Sequence, residues 1–288
     1  MALARIAAAA RNLAAAVGAR LLPRACLLCE QACGDMPLCD ACRDAMPGLG
    51  RARCARCGLV RDEERERAES VPAGAPGVPC APGDPGDPGD LGDPGDPDAP
   101  CAPAVPCARC AGTASLLDRV DVAADYAPPL AEAILALKFG ERIALAAPMG
   151  HLLAERVAGQ RPDCLVPIPL SHARLAERGF NQAQLIAAAL RRRWPADPPP
   201  DAPRRAAPPL RPDLLVRSHD TPHQSRLRGA ARRHNLDGGF RALPGVRGLR
   251  IALVDDVMTT GATLETAARA LRDAGAASVS ACVVARTP

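Results

Sequence analysis

The sequence predicts an α/β protein, a mainly parallel sheet flanked by helices, with a small N-terminal cysteine-rich module. Three observations carry this. Strand-like and helix-like segments alternate from Asp118 to the end, which is the pattern of a parallel sheet with helices on both faces. One apolar strand ends in two carboxylates and a Thr-Thr-Gly-Ala-Thr turn that opens a helix. Four Cys-x-x-Cys pairs stand before residue 111.

The elements follow in chain order. Met1 to Leu22 is rich in Ala and Leu, with Arg5, Arg11 and Arg20 spaced through it, and reads as a short amphipathic helix. Arg11 interrupts the unbroken apolar core that a secretory signal requires. No run of eighteen apolar residues occurs, so no transmembrane helix is expected. The expectation is a cytoplasmic protein without stable membrane insertion.

Residues 23–115 form the cysteine-rich module. Its pairs are Cys26/Cys29, Cys39/Cys42, Cys54/Cys57 and Cys107/Cys110. Two such pairs make a tetrahedral thiolate cage for zinc. The first two pairs, closely spaced, form one candidate site and the last two form another, although the sequence does not exclude pairing across these groups. Disulfides compete, but a cytoplasmic location disfavours them, and a redox Cys-x-x-Cys normally stands alone. Between the pairs, from about residue 61 to 106, lies an insertion with five Gly-initiated triplets, Gly83-Asp84-Pro85 through Gly95-Asp96-Pro97. Pro and Gly without apolar partners cannot offset the entropy of ordering, so this reads as a disordered loop.

Residues 116–288 form the α/β domain. Strands are expected at Arg119 to Ala124, Cys164 to Ile168, Arg250 to Val254 and Ser278 to Val284. Helices are expected at Leu130 to Leu137, opened by Pro128-Pro129, at Ala147 to Val157, at about Arg174 to Arg193, and at Ala262 to Ala274, stopped by Gly275. Aromatics are only 2% of the chain, so the core must be built of Ala, Leu and Val.

The sharpest signal is Ile251-Ala252-Leu253-Val254-Asp255-Asp256-Val257-Met258-Thr259-Thr260-Gly261-Ala262-Thr263. In open parallel sheets, ligands bind beyond the carboxyl ends of strands. A helix N-terminus offers free N–H groups and partial positive charge to a phosphate. Thr259, Thr260 and Thr263 add hydroxyl donors, and Gly261 admits a close oxygen. Asp255 and Asp256, acceptor-only groups, suit vicinal ribose hydroxyls. The combination describes a site for a ribose 5-phosphate.

This stretch resembles the phosphoribosyl pyrophosphate signature of type I phosphoribosyltransferases. Together with the cysteine pairs ahead of it, the chain resembles the ComF family, also known as the GntX family. The likeness extends through Ala124-Asp125-Tyr126-Ala127-Pro128-Pro129-Leu130, Leu137-Lys138-Phe139, Val166-Pro167-Ile168-Pro169-Leu170 and Arg178-Gly179-Phe180-Asn181-Gln182. It continues in Thr221, Gln224, Leu227, Arg232, Asn235 and Phe240, spaced as in the family's mobile segment; His219 stands there where an Arg is more usual. The resemblance implies a double zinc ribbon joined to a phosphoribosyltransferase fold. It also implies ribose contacts from Asp255 and Asp256, a 5′-phosphate wrapped by Thr259, Thr260, Gly261, Ala262 and Thr263, and a link to DNA uptake in natural competence or to use of external DNA.

Further candidates follow from the residues themselves. Lys138 is the only lysine beside 35 arginines, and a compact ammonium there suits a pyrophosphate. Arg174 and Arg178 lie four residues apart, on one helix face, and could meet the same group, with Asn181 and Gln182 continuing the turn. Residues 171–234 carry a net charge of +8 and residues 61–100 a net charge of −8, so the former expects an anionic partner. Two functions fit. One is an enzyme in which magnesium and basic groups steady a departing pyrophosphate while a nitrogen nucleophile attacks the ribose; no base-recognition pattern is visible. The other is a binding protein that contacts single-stranded DNA or the competence machinery. So few aromatics leave phosphate contacts, not stacking, as the mode of DNA binding.

Overall fold

The computed structural model describes residues 24–33, 37–61, 107–110, 112–157, 159–194, 206–217 and 239–288. The expected N-terminal helix, all but Arg61 of the Gly-Asp-Pro insertion, and the positions from His219 to Asn235 lie outside them.

Four parallel strands carry the domain: β3 (Arg119–Asp125), β4 (Cys164–Pro167), β7 (Arg250–Met258) and β8 (Ser278–Arg286), in the order β3-β8-β7-β4. Their side chains alternate between two cores. Leu165, Ala252, Val254, Cys282 and Val284 meet helices α2 (Leu130–Phe139), α3 (Ala146–Ala154) and α5 (Gln182–Arg193). Ile251, Leu253, Val279, Ala281 and Val283 meet helix α6 (Ala262–Asp273) and the antiparallel pair β5 (Leu215–Arg217) and β6 (Phe240–Ala242). Strands buried on both faces are near-continuous apolar runs, which is why they were legible. Helix α3 crosses α5 at Gly150, where a Cβ would stand 2.5 Å from that of Ala189. The small residues that replace aromatics in this core bring the layers close.

Two expectations need correction. The helix expected over Arg174 to Arg193 is two helices, α4 (His172–Arg178) and α5. Gly179 ends α4 in the left-handed region, at φ 75°, where a side chain costs more than glycine. The Asn181 side chain then accepts from the N–H groups of Ala183 and Gln184 and starts α5, as an N-cap does. Asn181 and Gln182 therefore do not continue the turn of Arg174 and Arg178. The strand expected to stop at Val254 continues to Met258, so both carboxylates belong to the ladder. The β5–β6 pair was not anticipated, since three-residue strands carry no readable period.

The cysteine module covers a sheet edge. Its described elements are β1 (Arg24–Ala25), β2 (Ala32–Cys33), antiparallel to each other, and helix α1 (Asp40–Asp44). Val120 N–H donates to Ala55 O at 2.6 Å and Asp125 N–H to Pro47 O at 2.8 Å. These bonds occupy backbone groups that an open edge would leave free on β3. At the opposite edge, Leu165 N–H donates to Pro209 O at 2.9 Å.

Candidate functional site

The carboxyl end of β7 leads into α6 through Thr259, Thr260 and Gly261. Gly261 is buried with φ 83°, and a Cβ there would stand 2.6 Å from Met258 Cε. The backbone conformation disfavours a side chain there, and Met258 Cε would have to move to admit one. Thr259, Thr260, Ala262 and Thr263 are exposed. Thr260 Oγ1 accepts from Ala262 N–H at 3.3 Å, while the first-turn amides of Thr263 and Leu264 have no intrahelical acceptor. Glu265, the acidic residue of the first turn, would compete with an anion. Its carboxylate is instead turned away, accepting from Ser115 Oγ at 2.5 Å and Leu116 N–H at 3.0 Å. The helix end is left open to an incoming phosphate.

Asp255 and Asp256 alternate in direction, as neighbours on a strand must. Asp255 is half-buried, and its Oδ1 accepts from Asp256 N–H at 2.9 Å. Burial, and then the charge of Asp256, push its carboxyl up to about 7, with Lys138 and Arg217 opposing. Asp256 is 3% exposed. Its Oδ1 is 2.9 Å from Lys138 Nζ, while its Oδ2 is buried with no hydrogen-bond partner. Buried acceptors are normally filled, so this oxygen is one that a ligand hydroxyl or cation could satisfy.

Lys138 is therefore brought to the carboxylates by the last turn of α2. Arg178 sits at the same corner: its guanidinium lies 5.2 Å from the centroid of the Phe139 ring and donates to Gln182 Oε1 at 2.6 Å. Arg174 is exposed on α4.

The eight cysteines gather as two groups, Cys26, Cys29, Cys39 and Cys42, and Cys54, Cys57, Cys107 and Cys110, each with its sulfurs within 4.8 Å of one another. No disulfide joins the described cysteines. A tetrahedral zinc with Zn–S of about 2.3 Å needs S···S edges of about 3.8 Å. Cys29 to Cys39 measures 3.6 Å and Cys57 to Cys107 measures 3.8 Å. The donor sets fit zinc, and the pairing left open by the sequence resolves as first with second and third with fourth. Among the thiols, Cys26 is burdened by burial, but N–H groups of Cys29, Cys39 and Leu28 outweigh it and bring it down to about 6. Cys54 is likewise brought down to about 7 by the N–H groups of Cys107, Cys57 and Arg56. Burial and the neighbouring sulfurs push Cys42, Cys57 and Cys110 up instead, so each group favours one thiolate on its own, and a divalent ion would be needed to hold all four deprotonated.

Residues 208–288 match the phosphoribosyl transferase domain model, and residues 17–72 match the double zinc ribbon domain model. The chain is 34% identical over 180 residues to DNA utilization protein YhgH of Escherichia coli K12, covering 59% of this chain and 72% of that protein. It is 29% identical over 179 residues to Competence protein F of Haemophilus influenzae, covering 59% and 73%. It is also 39% identical over 124 residues to Competence protein ComFC of Bacillus subtilis, covering 43% and 44%. The chain belongs to the ComF family.

The ComF double-ribbon match ends at residue 72, ahead of Cys107 and Cys110. It is the geometry that completes the second centre across the insertion. Three residues near the ComF site were missed from sequence. Arg217 of β5 lies over the Phe240 ring, 5.3 Å from its centroid, and its charge reaches Asp255. Arg53 and Arg286 bind the ribbon to the sheet, as described below. Among 35 arginines, nothing in the sequence marks these three; only the fold does. No helix among the described residues is long and apolar enough to cross a membrane.

Proposed function

We propose that the chain binds phosphoribosyl pyrophosphate with magnesium at the carboxyl end of β7, and that it serves DNA uptake or the use of external DNA from the cytoplasm. One observation carries the ligand reading: an open helix N-terminus beside two carboxylates, one of which keeps a buried, unfilled oxygen. In this reading Thr259, Thr260, Gly261, Ala262 and Thr263 wrap the 5′-phosphate. Asp255 and Asp256 accept from the ribose hydroxyls, and Lys138 shifts from Asp256 towards the pyrophosphate, which Arg174 and Arg178 also approach. Magnesium, when bound, neutralises pyrophosphate oxygens. The DNA side rests on the names of the relatives, DNA utilization protein and competence proteins, and on the basic excess of residues 171–234. Contact with single-stranded DNA through its phosphates weakens as salt rises.

A second reading, pentosyl transfer, is favoured by a cavity of about 560 Å³ at the carboxyl end of β4, lined in part by Pro167, Leu170, Phe180, Leu185, Leu215 and Arg217. An acceptor seated there would form a bond from its nitrogen to ribose C1. The C1–O bond to pyrophosphate breaks, that group leaves with the electron pair, and the nitrogen gives up its proton.

Calorimetry with phosphoribosyl pyrophosphate and magnesium tests the first reading. Binding is expected in the wild type and lost in Asp255→Ala/Asp256→Ala; unchanged affinity in that variant overturns it. The Asp255 carboxyl, raised to about 7, is an acceptor above that pH and protonated below it. Affinity should therefore fall as pH drops from 8 to 6, by up to about tenfold per unit below the midpoint, and Asp255→Asn should flatten the profile. Pyrophosphate release with any nitrogenous acceptor favours transfer; binding without release favours the binding protein.

A further inference from the structure

The second cysteine centre lies against the root of the phosphate loop. The last residue of β8, Arg286, pairs in register with Met258, the last residue of β7. Its Nε donates to the carbonyl of Cys57 at 2.9 Å, and its Nη1 donates to the carbonyl of Met258 at 3.3 Å and to that of Thr287. Thr287 N–H closes the junction by donating to the same Met258 carbonyl at 3.0 Å. One guanidinium therefore joins a cysteine of the second centre to the residue from which the loop departs.

Neither end of this link is free to drift. The Cys54 to Gly58 turn is closed by Gly58 N–H to Cys54 O at 2.8 Å, and a Cβ at Gly58 would stand 2.4 Å from Val122 Cγ2. The turn is pressed onto β3 with no room for a side chain. At the other end, the Met258 carbonyl is held by both Arg286 and Thr287, and Met258 is the last strand residue before the turn of Thr259, Thr260 and Gly261 that leads to the α6 amides.

The charges agree with the geometry. Four thiolates around a divalent ion carry a net charge of about −2. Arg286 is half-buried, and its recorded partners are carbonyl oxygens, not carboxylates. Burial lowers its pKa below the ordinary range and Arg109 acts in the same direction, while Cys57 and Cys110 favour the charge. The loaded centre thus supplies the negative charge that a buried guanidinium needs.

We propose that the second zinc centre is a working part of the phosphate site, with Arg286 as the positioning residue through which the state of the metal sets the geometry of the loop from Met258 to Ala262. The first centre is seated elsewhere: its cysteines pack towards α2 and α3, and the arginine that meets it, Arg142, donates to Leu27 O at 3.0 Å on the exposed rim. Filling the second centre therefore readies the ligand site, and emptying it slackens the loop. This rests on the phosphate-loop reading above for its ligand, but not for its structural content.

The test uses the full chain and three readouts: zinc content, backbone hydrogen exchange of the segment 257–263, and ribose 5-phosphate affinity. Arg286→Gln is expected to keep both zinc ions, yet to speed exchange in 257–263 and weaken ribose 5-phosphate by about tenfold each, the scale of one lost charge-assisted hydrogen bond. Cys110→Ser, emptying the second centre, should do the same, and the double variant should be no worse than Cys110→Ser alone. Cys29→Ser, emptying the first centre, should leave exchange in 257–263 unchanged. Unchanged exchange in Arg286→Gln overturns the proposal even if Cys110→Ser fails to fold, and so does additive loss in the double variant. If exchange responds as stated while even the wild type ignores ribose 5-phosphate, the strut stands and the ligand reading falls.

Discussion

The two cysteine centres have the same ligands and are docked on the same domain by opposite means. The first is held by apolar burial: Leu38 and Met46 join the core that contains Leu130, Leu145, Met149 and Leu152. Its polar ties lie at the exposed rim: Arg43 to Glu155, and Arg142 Nη2 donating to Leu27 O at 3.0 Å. The second is held by buried arginines. Arg53, with its side chain 3% exposed, donates to the carbonyls of Gly48 and Gly58 and to Asp125 Oδ1, all at 2.8–2.9 Å. Apolar contact is tolerant of small shifts, whereas a guanidinium fork fixes its partners in direction as well as distance. The directional fastening belongs to the centre that lies beside Met258, where the turn into α6 departs.

The sharpest way to break this contrast is Arg53→Ala. It strands Asp125 and two carbonyls at a buried interface, and removing one member of a buried pair costs about 3–5 kcal/mol. Urea denaturation should show that loss in the midpoint with little change in slope. A loss below about 1 kcal/mol, typical of an exposed pair, would mean that the second centre is not held by its fork. Met46→Ala comes next. Met46 is 4% exposed, and the void beside it is only about 10 Å³, so truncation should cost about 2–4 kcal/mol. A smaller figure would show that the first interface collapses to fill the gap.

The contrast also explains what the sequence disclosed. β7, β8 and the loop between them were readable because burial on both faces makes apolar runs, and because Asp255, Asp256 and Gly261 are residue types that only special positions require. The Cys-x-x-Cys spacing announced the ligands, but did not exclude other pairings, since the second centre closes by packing across the 49 residues between Cys57 and Cys107. The split at Gly179 was misread because helical spacing on either side concealed a single left-handed residue. Arg53 and Arg286 were invisible for a different reason. A buried arginine and a solvated one are the same letter, and their roles depend on backbone carbonyls that leave no trace in a sequence.

The smallest expected effect tests the tolerant side of the comparison. Arg43 Nη1 and Nη2 meet the two Glu155 oxygens at 2.8 and 2.9 Å, but the side chains remain 22% and 38% exposed. Arg43→Ala should therefore cost only about 0.2–1 kcal/mol. Its clearer mark should be on His151, whose Nε2 lies 3.6 Å from Glu155 Oε1. Burial lowers the imidazole below its ordinary range, with Arg193 and Arg43 acting in the same direction and Glu155 against them. Removing Arg43 deletes one depressing charge and leaves Glu155 facing the ring, so the His151 midpoint should rise in an NMR titration. A native group with a depressed midpoint disfavours folding as pH falls towards its unfolded value, so the variant should lose less stability on mild acidification than the wild type does. A His151 midpoint that stays in place would show that Glu155 turns to solvent once Arg43 is gone, and that the rim pair positions nothing beyond itself.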